Sequence, residues 1–492
     1  MRKTLRNILI SLILIFILTV QLVFALGYPF IQVFSAAATS QEKVAKLIFK
    51  NEKTSEDISY IQKSISITQQ QSSRLAIFTR RLSAIMPLRP AVFITDTIAT
   101  ASLQLPHLLG EGQEANIVLL FLNNYELRPG GGFIGSLGFV TLKNYSITRF
   151  EVQDVYEIDG QITRHHEPHY AVRKYLNQPN EFLRDSNFSP DFGKNAQKIL
   201  LHLSDLSAYD KVYVATIGIT ATAFEHLLRL TGPIELTDYN TTISGSNFFT
   251  TTQRKIETEF FPGSKQKRSI LQSLGNVMRQ RIEEIPPLGI FDYLSRSVKT
   301  KNLVLFSLNP QLQNLFVMLG SAGGQTSTHD DWVMPVDANV GVNKMDALVH
   351  KTMDLRLLQS DKIFTHTFKS IYTNTITADA AEKESYKNYF QLYTPNGALL
   401  KTALLNGMAV NDLVTTSQEG ANTVFSVYFE TPPATSTAVS LTYDLPHSSK
   451  TPRLHFQKQI GAKPSPLTVI YKGATTKVEQ RLIESDEVFS FY

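Results

Sequence analysis

The chain contains no cysteine. That excludes thiol nucleophiles, thiolate–zinc sites and disulfides. Tryptophan occurs once, at Trp332. A concentrated basic stripe is also missing: 48 Lys and Arg against 43 Asp and Glu leave a formal charge of +5, scattered along 492 residues. No zinc-finger, RRM or basic-helix pattern occurs, so nucleic acid is not an expected partner. Mild basicity of this kind suits an anionic membrane or polymer surface, or simply a solvated one. No low-complexity tract interrupts a composition that is 43% hydrophobic and 18% charged, and the length calls for more than one folded core.

Charge is absent over one long stretch. After Arg2, Lys3 and Arg6 comes ILISLILIFILTVQLVFAL (Ile8–Leu26), and no charged side chain appears before Glu42. Such a run exceeds the ~20 residues that span a bilayer. The leading cations favour a cytoplasmic N-terminus with the bulk of the chain outside. A cleaved signal peptide is the alternative, with Ser35-Ala36-Ala37-Ala38 as its small-residue site. The longer apolar run favours an uncleaved signal-anchor over residues 1–39 of a single-pass membrane protein.

From residue 40 to 90 the apolar spacing is helical. Val44, Leu47 and Ile48, then Ile58, Ile61 and Ile65, then Leu75, Phe78, Leu82 and Ile85 recur at three and four, and Pro87 and Pro90 close the segment. A membrane-proximal helical stalk or hairpin is expected. Residues 91–335 mix strand-like runs (NIVLLFLNN, KVYVATIGI) with helical ones (TATAFEHLLRL, KRSILQSLGNVMRQRI). That alternation predicts an α/β layered domain. Residues 336–492 read as successive short strands rich in Thr, Tyr, Phe and Val, hence an all-β sandwich. The expected class is α+β or α/β behind an N-terminal transmembrane helix.

NNYELRPGGGFIGSLG (Asn123–Gly138) carries the one dense glycine cluster. Gly130, Gly132 and Gly135 spell G-x-G-x-x-G after a strand, with Asp154 nineteen residues beyond Gly135. Nucleotide binding needs a helix to open there. FVTLKNYSITRFEV follows instead, and reads as a β-hairpin around Asn144. No Gly-Lys-Ser/Thr completes a phosphate loop, and the serine is misplaced for a nucleophile elbow. The glycines then serve close backbone approach at a strand end. A sharper reading adds Arg128 and the N–H groups of Gly130, Gly131 and Gly132 as a phosphate grip, with Glu126 holding a cation. Equally, Glu126 and Arg128 neutralise one another. His165-His166-Glu167-Pro168-His169 reads as an exposed loop, because proline breaks the helix a metal pair needs and no second cluster completes a ligand set. His329-Asp330-Asp331 beside Trp332 is similarly loop-like. Arg184-Asp185-Ser186-Asn187 with Asp191 forms a further polar cluster, placed as a turn capping a helix that starts near Lys194.

Glu126-Leu127-Arg128-Pro129-Gly130-Gly131-Gly132-Phe133-Ile134-Gly135 resembles the signature of the bacterial domain of unknown function 4012. The resemblance continues through RDSNFSPDF (Arg184–Phe192), LLRLTGPIEL, the Lys267-Arg268 helix, DANVGVNK (Asp337–Lys344), YDLP and QKQIG (Gln457–Gly461). More remotely, the order of elements is similar to the LytR-CpsA-Psr phosphotransferases, which attach glycopolymers to bacterial walls from polyprenyl-pyrophosphate donors. That similarity implies an LCP-like α/β core, Arg128 and Arg268 as pyrophosphate ligands, and Glu126 and Asp154 as carboxylates for Mg2+. This chain departs from the pattern: Gln153 stands where a paired arginine belongs, and Asn124 or Glu126 must replace an aspartate. Two functions follow as expectations. One is a non-catalytic binding or assembly module of the cell envelope, engaging wall polymer or polyprenyl lipid. The other is a metal-dependent glycopolymer phosphotransferase.

Overall fold

Thr54 starts the first long helix by accepting from the Asp57 N–H while the Asp57 carboxylate accepts from the Thr54 N–H. This reciprocal cap satisfies two donors that a helix start leaves unpaired. The helix, α1, runs Ser55–Ser83, and α2 follows over Arg89–Leu108 with Pro90 in its first turn. The coordinates are a computed structural model that describes residues 43–48, 50, 52–84, 87–251, 265–325, 331–360, 363–377, 384–446, 453–473 and 475–491. The expected signal-anchor, residues 1–39, lies outside the described residues. Among those described, no helix is long and apolar enough to cross a membrane. Pro90 closes nothing: it opens a second helix, so helical structure continues to Leu108.

Two compact units are distinguished. The first is Met1–Glu114 with Lys143–Ser146 and Ile282–Pro287. In it α1 and α2 form an antiparallel pair. The predicted apolar stripe faces inward only at one end, where Ile61 and Ile65 bury with Tyr145. Farther along, the interface consists of Ser72, Ala76 and Thr79 against Thr95, Ala99 and Ser102.

The second unit, Ala115–Leu142, Ile147–Arg281 and Leu288–Tyr492, holds both the α/β part and the β-sandwich. Its mixed five-stranded sheet is built from β1 (Ala115–Asn123), β2 (Phe133–Lys143), β3 (Ser146–Asp154), β4 (Tyr213–Thr220) and β5 (Leu303–Phe306), in the order β3-β2-β1-β4-β5. Strand β1 is central, antiparallel to β2 and parallel to β4. Asn144 and Tyr145, both at positive φ, turn β2 into β3 as the hairpin reading expects. The helix Phe192–Ser204 buries Phe192, Ala196, Ile199 and Leu203, one stripe at helical spacing, in a core shared with Val118, Leu120, Leu122 and Val304.

The sandwich pairs a seven-stranded sheet, centred on Ile363–Asn374, with a six-stranded one, in which Asp331–Val336 lies between Tyr386–Pro395 and Arg453–Phe456. Phe368 of one stacks on Phe390 of the other at 5.9 Å. Alternation along Ile363–Asn374 is strict, with every second side chain buried.

Ile460, from the loop after the strand Arg453–Phe456, is only 1% exposed and sits in the core of the five-stranded sheet. The sandwich and the α/β part therefore share a core residue. Ile460→Ala is expected to cost about 2–5 kcal/mol. In denaturant titrations, fluorescence of the buried Trp332 and the far-UV signal of the second unit should shift together to lower midpoint. A shift confined to one of the two signals contradicts the shared core.

Candidate functional site

The nine residues between β1 and β2, 124–132, are buried except for the half-buried Tyr125. A buried turn must find partners for every backbone group. Here they come from both halves of the unit. The Asn124 side chain donates to Thr222 Oγ1 (2.8 Å) and to the Gly461 carbonyl (2.9 Å), and accepts from the Thr222 N–H. The Leu127 N–H donates to Asp346 Oδ2 at 2.9 Å, and the Leu127 carbonyl accepts from the Asn339 N–H at 2.8 Å.

Arg128 is 2% exposed. Its Nη2 donates to Glu126 Oε1 at 2.8 Å, its Nη1 donates to the Asn339 carbonyl, and its guanidinium lies 5.3 Å from the centre of the Phe188 ring. Gln459 Nε2 donates to the Arg128 carbonyl (3.0 Å) and to the Asp337 carbonyl (2.8 Å), while its Oε1 accepts from the Asp337 N–H. The Asp337 carboxylate takes Tyr372 Oη, Asn388 Nδ2 and Lys351 Nζ. Asp346 takes Asn339 Nδ2 and Tyr386 Oη in addition to Leu127. Burial, opposed by Arg128, pushes Glu126 up to about 7, and burial pushes Asp346 up to about 6.

The glycines serve this closure. Gly132 has φ 142°, and a Cβ there would meet the Asn123 backbone at 2.5 Å. Across the junction, a Cβ on Gly461 would meet the Gly131 carbonyl oxygen at 2.3 Å, so two backbones touch where only glycine fits. The Gly130 N–H donates to the Asn187 carbonyl and the Gly131 N–H to the Arg128 carbonyl. The Asn187 side chain donates to the Gly132 carbonyl. Two of the three N–H groups of the phosphate-grip reading are thus already bonded within the protein.

The remaining candidates fall around this turn or beyond it. Arg184 pairs with Asp159 Oδ2 at 2.7 Å, approaches Asp185 at 3.7 Å and covers the Phe182 ring at 4.1 Å. Burial raises the proton affinity of both Asp159 and Asp185. Arg128 Nε and Asp185 Oδ2 are buried without a hydrogen-bond partner among the described residues. Asp154 is fully buried and caps the helix Val155–Asp159 through the Tyr156 N–H at 2.9 Å. Asp191 caps Phe192–Ser204 through the Lys194 N–H. Arg268 belongs to the helix Lys265–Ile282, and its side chain lies outside the described residues. Among the described residues no three Asp, Glu or His side chains are grouped to hold a metal ion.

The histidine segment is exposed only in part. His169, half-buried, accepts from the Ala171 N–H, and burial pushes it down to about 4, keeping it neutral for that role. His329 and Asp330 lie outside the described residues, while Asp331 Oδ2 stands 3.0 Å from His366 Nε2.

Sequence reasoning missed Asp346, Asn388, Lys301 and Lys458. Lys458, pushed down to about 7 by burial, donates to the Thr300 carbonyl at 3.0 Å. Lys301 donates to the Lys458 carbonyl and pairs with Asp486 at 2.7 Å. No local spacing marks these residues, because Leu127 for Asp346, Asp337 for Asn388, Thr300 for Lys458 and Asp486 for Lys301 all come from distant parts of the chain.

Residues 112–256 match the sequence family described as "Protein of unknown function (DUF4012)". This stretch of the chain is a DUF4012 domain. It supplies Asn124, Glu126, Arg128, the glycines and the 184–195 segment, while Asn339, Asp346 and Gln459 lie beyond the matched residues. No curated protein matches the chain. Among solved structures, native leukotriene A4 hydrolase from Saccharomyces cerevisiae aligns over 26% of this chain and 24% of its own, at 7% identity and TM-score 0.18. The yeast LTA4 hydrolase complex with bestatin aligns over 26% and 23%, at 8% identity and TM-score 0.18. The aligned part spans about a quarter of those chains, and superpositions so loose carry no argument.

The DUF4012 turn makes a pH dependence. A carboxyl whose folded pKa is raised stabilises the fold fully below its unfolded pKa, and that contribution is lost as pH rises through the folded value. For Glu126 the window runs from 4.5 to about 7. Unfolding free energy should fall across it by about 3 kcal/mol, at 1.4 kcal/mol per pH unit. Denaturant titrations at the two ends should show this decline, and Glu126→Gln should reduce it, chiefly above about pH 6 where the raised Asp346 carboxyl no longer contributes. An unchanged slope in Glu126→Gln assigns the decline to other groups.

Proposed function

We propose that this chain is a membrane-anchored, extracytoplasmic envelope protein whose DUF4012 domain and β-sandwich act together as a non-catalytic binding or assembly module. One observation carries the reading. Arg128 and Glu126, the charges that the transferase resemblance assigns to pyrophosphate and cation, are bonded to each other, and Arg128 also to the Asn339 carbonyl, inside the protein. A guanidinium that stabilises a phosphoryl transition state must face the substrate in a preorganised pocket. This one faces the sandwich.

The membrane part of the reading is supported by the uncharged run from Ile8 to Leu26 behind three cations. The envelope part is supported by the order of elements that resembles the wall-polymer transferases. On such a scaffold wall polymer or polyprenyl lipid is the natural ligand, held without bond cleavage.

The test incubates the full chain in vesicles with a polyprenyl-pyrophosphate-linked glycan and Mg2+. No polyprenyl phosphate should be released above the protein-free rate. Release that disappears both in Arg128→Met and in Arg184→Ala, with each variant still folded by circular dichroism, overturns the reading in favour of a transferase.

A further inference from the structure

The α1–α2 hairpin is ordered inside out. Between residues 72 and 102 its interior is made of small side chains. Ser72 Oγ and Ser102 Oγ lie 3.3 Å apart, Thr79 Oγ1 and Thr95 Oγ1 2.8 Å apart, and Gln69 Nε2 donates to the Ser102 carbonyl. Its outside carries the large apolar groups: Ile77 is 52% exposed, Phe78 40%, Phe93 53%, Ile94 53%, Ile98 39% and Leu103 56%. A helix pair that keeps only water around it buries such residues and exposes hydroxyls. Small hydroxyl residues inside and bulky hydrocarbon outside is the arrangement helices adopt where the surroundings are themselves apolar.

Charge identifies those surroundings. From Ile58 to Gly110 the cations are Lys63, Arg74, Arg80, Arg81 and Arg89, and Asp96 is the lone carboxylate. Asp96 is bound by Arg80 at 3.0 and 3.1 Å. Arg74, Arg81 and Arg89 are exposed, close in sequence to Ile77, Phe78 and Phe93. Exposed hydrocarbon flanked by cations, on helices not long and apolar enough to cross a membrane, matches an interface of acyl chains beneath anionic headgroups.

We propose that the outer face of the α1–α2 hairpin lies on, and dips into, an anionic lipid surface. The inference rests on the membrane-anchored reading above and names the second contact with the same bilayer. Reach permits it. Sixteen residues separate Leu26 from Lys43, spanning at most ~56 Å extended, whereas the 29 residues of α1 are ~44 Å long.

The absence of native cysteine makes the test clean. Single-cysteine variants Phe93→Cys and Ile98→Cys, with Leu348→Cys (44% exposed, in the second unit) as control, are labelled with an environment-sensitive fluorophore. Each full chain is reconstituted in vesicles that contain spin-labelled lipid. In phosphatidylglycerol vesicles, quenching at 93 and 98 should exceed that at 348 by about twofold or more. It should fall in phosphatidylcholine vesicles and at about 0.5 M salt. Arg81→Glu with Arg89→Glu should abolish the preference for anionic lipid while the helical signal is kept.

Equal quenching at the three positions overturns the proposal. So does cross-linking of Ile98→Cys between two copies in place of quenching, which makes a second chain the occupant. Flotation with neutral vesicles separates the two readings. A chain that floats with neutral vesicles but shows no hairpin quenching with anionic ones defeats this inference alone. A chain that floats only with anionic vesicles, with quenching, defeats the anchor and supports the hairpin contact.

Discussion

The second unit closes around a carboxyl–guanidinium pair that has been taken out of water. Arg128 and Glu126 sit two residues apart on one buried turn, and neither reaches solvent. Removing both charges from water costs several kcal/mol each, and their attraction offsets this only when the surrounding lone pairs and protons are also matched. Much of the neighbouring structure does that matching. The Asn339 carbonyl meets the guanidinium, Gln459 meets the Arg128 carbonyl, and Asp346 meets the Leu127 N–H. Since Asn339, Asp346 and Gln459 belong to the C-terminal half, the turn is complete only when both halves are folded. This is why the α/β part and the sandwich form one unit.

The same constraint explains the glycines better than ligand binding does. A phosphate cradle keeps its N–H groups pointing at an open site. Here Gly130 and Gly131 donate to Asn187 and Arg128 carbonyls, and Gly132 lies against the Asn123 backbone. A turn between two packed segments has no room for side chains on its contact points. Gly461 shows the requirement from the other side of the junction.

Much of the layout was legible in the sequence because it rests on local periodicity. Period-two runs marked β1, the β2–β3 hairpin and the sandwich strands, and helical spacing marked α1. The pairing of Glu126 with Arg128 was one of the alternatives read from their spacing on one strand end. Its burial was not, because burial is decided by residues more than 200 positions away. DANVGVNK and QKQIG stood out only as pieces of a resemblance. In the structure, Asn339 and Gln459 within them meet the ELRPGGG turn, while RDSNFSPDF supplies Asn187, which holds Gly130 and Gly132. Four separate motifs describe one buried junction. Pro90 misled for a related reason: proline stops a helix and starts one with equal ease, and only the residues after it decide.

The two units solve opposite problems. In the second, charge is hidden and most of the polar groups of the turn are bonded within the protein, with Lys458 and Lys301 fastening the 457–461 loop by backbone carbonyls rather than by offering ammonium groups to solvent. In the first, hydrocarbon is displayed and the hydroxyls are hidden, although burying Ser72, Thr79, Thr95 and Ser102 contributes far less than burying Phe93 and Ile94 would. Among the described residues, the hairpin therefore displays hydrocarbon that its own interior could have hidden. The glycine turn, which looks most like a site in the sequence, is a closed joint.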